Sequence, residues 1–343
     1  MTYDQFFKEI KAGEIRPAYL FYGPEQLVKQ SALDALREKV LPAGLEALNQ
    51  NLFDGAALAR DIIEAAETLP MMCEKRLVVV RDWAVLKAGK ARDEAAQSEE
   101  MEKWISRLPD NCCVVFWMDE SADSRKKLVK QMVQQVEWVE FPVLTDAKIY
   151  TWLNQQLRPL GKHIEQDAVS QLIFMAGHLL TGLKSELEKL TAYVGERPSI
   201  AQADVEAVVT STGEYTVFQM IDCVLQGQSV RAQTLLKALL EAGESYIGVL
   251  FMLTRQLRMM THIRLLRGQG ISLAEIEKKL AINHYAASRA ATQAARFDPQ
   301  RLQQGYEACV EADYAIKSGK MRDSAAVDYL ILTLCAGRPA SQR

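Results

Sequence analysis

The chain has 343 residues, 49% hydrophobic and 25% charged, with a formal net charge of −3. That composition is ordinary for a soluble globular protein and excludes a chain that is mainly disordered. The length allows two or three domains at about 100–200 residues each. No apolar run approaches the roughly 18 residues of a spanning helix. The acids in the opening MTYDQFFKEIKAGE do not suit a secretory signal, so a cytoplasmic protein with no membrane partner is expected. Six cysteines (Cys73, Cys112, Cys113, Cys223, Cys309, Cys335) lack any C-x-x-C spacing and read as reduced core thiols. His163, His178, His262 and His284 are isolated from one another, and no metal site is expected.

In chain order, AYLFYG (Ala18 to Gly23) is a strand-type run, GPEQLVKQ (Gly23 to Gln30) a Gly turn, and SALDALREKV a helix. Strand, Gly turn and helix is the setting of a phosphate loop, G-x-x-x-x-G-K-[ST], whose second Gly admits phosphate and whose hydroxyl meets magnesium. Gly23 and Lys29 keep their places. Val28 stands where the second Gly belongs and Gln30 where the hydroxyl belongs. A β-branched Val28 resists the backbone angles that Gly supplies, so the loop reads as scaffold, with no bound cofactor expected.

Further strand-like runs are RLVVVRDW (Arg76 to Trp83), CCVVFWMD (Cys112 to Asp119) and VEWVEFPV (Val136 to Val143). Apolar strands separated by helical segments predict a parallel sheet covered on both faces. The stretch Lys87 to Lys103 has many charges and no apolar stripe, and reads as an exposed helix or loop. From Leu144 to Ser211 no good strand is expected. A helix starts near Thr145 and Asp146 and stops at Pro159 to Gly161; two more end at Gly177 and Gly195; a short fourth is capped by Ser199. From Thr212 onward the chain is helical to its end. That last part carries 16 Lys plus Arg against 12 Asp plus Glu, leaving 25 against 32 for the rest, so the basic third is the better candidate for a nucleic-acid face.

The layout, an α/β block with a worn phosphate loop, a small helical lid and a larger helical domain, resembles AAA+ clamp-loader subunits. LPMMCEKRLVVVRD (Leu69 to Asp82), DSRKKLVK (Asp123 to Lys130), GHLLTGLKSELEKLTAYVG (Gly177 to Gly195), VFQMIDCVLQG (Val217 to Gly227), RQLRMM (Arg255 to Met260) and EADYAIKSGKMRD (Glu311 to Asp323), in this order, sharpen the resemblance. Together they are similar to the delta subunits of bacterial DNA polymerase III, along nearly the whole length. The resemblance implies a mostly helical three-domain protein: residues 1–142 an AAA+-like clamp-binding domain, 143–211 a helical lid, and 212–343 an all-α collar. It also implies the work of opening a sliding clamp for loading on primed DNA, inside a polymerase holoenzyme, with no ATP hydrolysis of its own. The implied partners are the clamp (beta), the gamma/tau and delta-prime subunits in a hetero-oligomer, and primed DNA.

Four apolar residues at a helix-to-strand connection, Leu69 to Met72, would normally tuck into the core. The resemblance implies instead that Leu69, Met71 and Met72 project into an apolar pocket on the clamp. Asp119 and Glu120, at the end of a strand, have the types of a magnesium ligand and a water-activating base, yet nothing beside them would hold phosphate. Arg125, Lys126, Lys127 and Lys130 are placed on a helix, and Arg255, Arg258, Arg264 and Arg267 on a longer one, with Lys317, Lys320 and Arg322 near Gly319. These are candidates for DNA or subunit contacts, with Tyr285 and Tyr314 as candidate base-stacking rings. Two other readings stay open on the residues alone. One is an active ATPase and DNA remodeller using Lys29, Asp119 and Glu120; the other is a DNA-binding adaptor using the basic helices.

Overall fold

A computed structural model of the chain describes residues 1–89, 93–280, 282 and 284–336, the side chain of His284 excepted. Lys90, Ala91 and Arg92 of the charged stretch, and Gly337 onward, lie outside the described residues. Two compact units form: Met1–Thr145 with Leu179–Thr181, and Asp146–His178 with Gly182–Arg343.

The first unit runs α1 (Tyr3–Ala12), β1 (Ala18–Tyr22), α2 (Gln26–Val40), α3 (Glu46–Asn49), β2 (Gln50–Phe53), α4 (Ala59–Glu67), β3 (Arg76–Arg81), α5 (Glu94–Ile105), β4 (Cys112–Trp117), α6 (Lys127–Gln135) and β5 (Glu137–Glu140). The strands form one parallel sheet in the order β2-β3-β4-β1-β5. Successive side chains of a strand point to opposite faces, and here each face has its own core. Leu20, Val78, Val80, Val114 and Phe116 pack with residues of α4, α5 and α6, such as Ile62, Trp104 and Val129. Tyr19, Phe21, Val79, Val115 and Trp117 pack with Phe6 and Ile10 of α1 and Leu33 and Leu36 of α2. Burial on both faces is why these strands read as unbroken apolar runs.

The parallel sheet and its helical cover are as expected, with three corrections in this unit. A fifth strand, β2, was not expected: it lies at the sheet edge, begins with Gln50 and Asn51, and leaves Leu52 exposed, so it carries no apolar run. The charged stretch holds a helix with a buried side, since Gln97, Met101, Trp104 and Ile105 of α5 are covered. Two of those, Trp104 and Ile105, lie just beyond the residues that read as uniformly polar. Helix α6 begins at Lys127, leaving Arg125 and Lys126 in the preceding turn.

The second unit contains α7 (Asp146–Leu157), β6 (His163–Ile164), α8 (Gln166–Ala176), α9 (Leu180–Val194, its first two residues counted with the first unit), β7 (Ser199–Ile200) and α10 (Gln202–Val208). It continues with α11 (Gly213–Leu225), α12 (Ser229–Glu241), α13 (Tyr246–Gly268), α14 (Leu273–Leu280), α15 (His284–Arg296), α16 (Pro299–Lys317) and α17 (Asp323–Ala336). The helices stop at Gly177 and Gly195 as the sequence suggests. Strands β6 and β7 pair in parallel, a two-residue ladder too short to leave a sequence signal. Ser199 therefore sits in a strand rather than at a helix cap, and its hydroxyl donates to Glu165 at 3.0 Å. The Asp204 carboxylate accepts from the Ala201 N–H at 2.9 Å and does the capping. The core of α11 to α17 centres on α13, where Leu253, Leu257 and Met260 meet Leu302 and Cys309 of α16 and Ile331 of α17.

All six cysteines are free, and burial pushes the Cys112 and Cys309 thiols up to about 12. Among the described residues no helix is long and apolar enough to cross a membrane, and no cluster of three or more His, Cys, Asp or Glu is placed to hold a metal ion.

Candidate functional site

The turn after β1 keeps the outline of a phosphate loop and fills it with the protein's own groups. Gly23 has φ +117°, and a Cβ there would lie 2.4 Å from the Phe141 carbonyl oxygen. The glycine thus serves a close backbone approach to the chain leaving β5, with Glu25 N–H donating to the same oxygen at 3.2 Å. The side chain of Val28 packs against the core beneath α2.

Glu25 is fully buried, and its carboxylate accepts from the Leu27 N–H at 3.4 Å and the Leu180 N–H, in the first turn of α9, at 3.2 Å. An internal carboxylate therefore engages one backbone N–H at the start of α2, where a bound phosphate would otherwise be held, and one at the start of α9. Burial raises the Glu25 carboxyl above its ordinary range, against the lowering effect of those hydrogen bonds and of Lys29.

Lys29 has no solvent exposure. Its ammonium donates to the Met118 carbonyl at 2.8 Å, stands 3.6 Å from Asp119 Oδ1 and lies 4.9 Å from the centre of the Trp117 ring. Burial lowers its proton affinity, partly offset by Asp119. For the Asp119 carboxyl, burial acts upward but is outweighed by a 2.6 Å hydrogen bond from Gln26 and by Lys29, leaving it below its ordinary range. Gln30 donates to Asp34 at 3.0 Å and accepts from Arg81 at 3.3 Å. Lys29 is thus turned inward and Gln30 is bonded to neighbouring side chains, while Asp119 and Glu120 are exposed.

A second feature lies between α4 and β3. Helix α4 ends at Thr68, whose hydroxyl folds back to the Glu64 carbonyl at 2.7 Å, and Pro70 prevents its continuation. Beyond it, Leu69 is 74% exposed, Met71 54% and Met72 85%. Met72 takes φ +59°, a left-handed conformation uncommon for a residue with a side chain. The loop is held from beneath by Asn49, at the end of α3. This fully buried residue accepts from the Met71 N–H at 2.6 Å and donates to the Met71 carbonyl at 2.9 Å and to the Leu45 carbonyl at 3.1 Å. Cys73 Sγ donates to the Lys75 carbonyl, and the chain enters β3 as Arg76 N–H meets the Asn111 carbonyl at 2.9 Å. Three apolar side chains are thus displayed on a main chain tied down by polar bonds.

The basic candidates fall in both units, and several are paired within their own. In the first unit, Arg125 pairs with Asp123 at 2.7 Å and Lys127 with Glu102 at 2.6 Å. Lys126 is occupied by Glu94 and the Val85 carbonyl, both at 2.9 Å. In the second unit, Arg255 pairs with Glu214, Lys317 pairs with Asp313 at 2.7 Å, and Arg264 donates to the Ala294 carbonyl. Arg258 and Lys130 are exposed. Lys320 lies 5.1 Å from the ring centre of Tyr314, itself exposed, whereas Tyr285 packs on Phe174 at 5.1 Å and lies beside Arg289.

Sequence reasoning missed Glu25 and Asn49. Neither carries a signal of its own, since each is a polar residue in a polar stretch and only the fold buries it.

Comparison with known proteins gives matches in both units. A family profile described as "DNA polymerase III, delta subunit" matches residues 19–142, and one described as "DNA polymerase III delta subunit, C-terminal domain" matches residues 214–334. The chain is 25% identical over 337 residues to DNA polymerase III subunit delta of Bacillus subtilis (strain 168), covering 97% of each. It is 20% identical over 256 residues to DNA polymerase III subunit delta of Escherichia coli (strain K12), covering 73% of this chain and 71% of the other. Among solved structures, the Bacillus subtilis DNA clamp loader delta protein (YqeN) matches with a TM-score of 0.51 and 24% identity, over 97% of this chain and 99% of that one. The α/β sheet unit followed by helical parts, read from the sequence, agrees with this likeness of fold.

Proposed function

Because this chain belongs to the family of DNA polymerase III delta subunits, we propose that it is the clamp-loader member that binds and opens the sliding clamp, without hydrolysing ATP itself. The observation that carries this reading is the loop at Leu69, Met71 and Met72. Its side chains are 74%, 54% and 85% exposed on a main chain fixed by buried Asn49. Large apolar side chains held out together are costly in water unless a partner covers them. Each contributes roughly 1.5–3 kcal/mol when buried in an apolar pocket, enough to dominate an interface.

In this reading residues 1–142 engage the clamp, 143–211 form the lid and 212–343 join a collar with gamma/tau and delta-prime subunits. The wedge fits the clamp better when the ring interface is open, and it shifts the ring toward that state by the difference between the two affinities. What supports the absence of hydrolysis is the state of the phosphate loop: Lys29 and Asp119 bond to the protein itself, and Glu25 fills the anion position. Contacts with primed DNA fall to basic residues with exposed side chains, Arg258 and Lys320 foremost.

The test is the double variant Met71→Ser/Met72→Ser. It should lose clamp binding in a pull-down while keeping its circular dichroism and its assembly with the other subunits. Unchanged clamp affinity in the folded variant would remove the wedge.

A further inference from the structure

The chain has twelve methionines, and the fold sorts them by exposure. Met101, Met118, Met132, Met175, Met220 and Met260 are buried, while Met1, Met252 and Met259 are half-covered. Met321 is 37% exposed, against 54% for Met71 and 85% for Met72. The two most exposed methionines in the protein are therefore neighbours, and they sit on the loop just assigned to the clamp.

A thioether in an apolar pocket is a good contact, and the same sulfur in water is a nucleophile toward peroxide oxygen. We propose that Met71 and Met72 form an oxidation-sensitive modification site, at which hydroperoxides reversibly switch off clamp binding. This inference rests on the clamp-binding reading above. In the step, a sulfur lone pair attacks one oxygen of the hydroperoxide; the S–O bond forms and the O–O bond breaks. Sulfur is oxidised by two electrons to the sulfoxide, and the peroxide is reduced to water or an alcohol, which takes up the proton. A thiol-dependent methionine sulfoxide reductase reverses the change, the thiols becoming a disulfide and the oxygen leaving as water.

The geometry makes the change consequential in two ways. Asn49 ties the Met71 main chain at 2.6 and 2.9 Å, so an oxidised side chain stays at the tip of the loop. A sulfoxide oxygen is a strong acceptor, and sealing it into an apolar pocket without a donor is unfavourable. The expected effect is about tenfold weaker clamp binding or more for each buried sulfoxide.

The experiment treats the full chain with graded hydrogen peroxide, maps sulfoxides by peptide mass spectrometry and measures affinity for the sliding clamp before and after. Met71 and Met72 should oxidise before Met321 and well before the buried six, with bound clamp protecting them. Affinity should fall about tenfold or more and return after treatment with the reductase and dithiothreitol. Met321→Leu should keep the full response. Met71→Leu/Met72→Leu, whatever its own affinity, should show no change on peroxide treatment. Tight clamp binding by protein oxidised at both positions would overturn the proposal, as would an undiminished peroxide response in the double leucine variant. Failure of the untreated chain to bind the clamp would instead remove the clamp reading, and this inference with it.

Discussion

Asn49 grips the main chain of Met71 at both of its polar groups, accepting from the N–H at 2.6 Å and donating to the carbonyl at 2.9 Å. Asn49→Ala removes both bonds and leaves backbone groups of the loop unpaired. The expected cost is about 1–3 kcal/mol of stability, measured by urea unfolding. At a temperature where both proteins are fully folded, clamp affinity should also fall about tenfold, because binding must now order the loop. An affinity equal to wild type would mean that Asn49 supports the fold alone.

Met72 offers a test in which stability and binding move in opposite directions. Its φ of +59° is strained for a residue with a Cβ, so Met72→Gly should stabilise the fold by roughly 0.5–1 kcal/mol once the freer unfolded chain is counted. The same change removes an 85% exposed apolar side chain and should weaken clamp binding. Calorimetry and a binding titration on one preparation check both signs.

Glu25 gives a pH signature. Burial raises its carboxyl above the ordinary 4.5, so the folded protein binds this proton more tightly than the unfolded chain does. Its contribution to stability is full below that ordinary value and is lost as pH rises through the raised one. As pH is lowered from above the raised value toward 4.5, the stability of wild type relative to Glu25→Gln should therefore grow. A difference that stays constant across that range would contradict a desolvated seat for Glu25.

Restoring the two absent motif residues should not restore a nucleotide site. In Val28→Gly/Gln30→Thr, Lys29 remains bonded to the Met118 carbonyl and Glu25 to the N–H groups of Leu27 and Leu180. Isothermal titration with magnesium ATP should show no micromolar binding. Binding at that level would mean that the inward-turned groups yield readily to phosphate.

These residues also mark how far the sequence could be read. Strands β1, β3 and β4 were legible because burial on both faces makes their central residues apolar without interruption; β5, at one sheet edge, was legible from Trp138, Val139 and the apolar residues flanking its two glutamates, whereas β2, at the other edge and opening with Gln50 and Asn51, gives no such run. The departure from the phosphate-loop pattern was legible in Val28 and Gln30. The burial of Glu25 in the same turn was not, since a buried glutamate and a surface one look alike in a sequence. For Leu69 to Met72 residue chemistry pointed the wrong way: apolar residues are normally covered, and only resemblance to other chains suggested exposure. Lys126 and Lys127 looked like free cations because their acidic partners, Glu94 and Glu102, lie on another helix, whereas Arg125 pairs with Asp123 two residues before it.

The central claim is that an exposed apolar loop, and not a nucleotide site, does this protein's work on the clamp. Titrating the isolated chain with sliding clamp, with and without magnesium ATP, tests it most directly. The expected result is saturable binding with the same affinity in both conditions. Binding that requires ATP, or no binding at all, would contradict it.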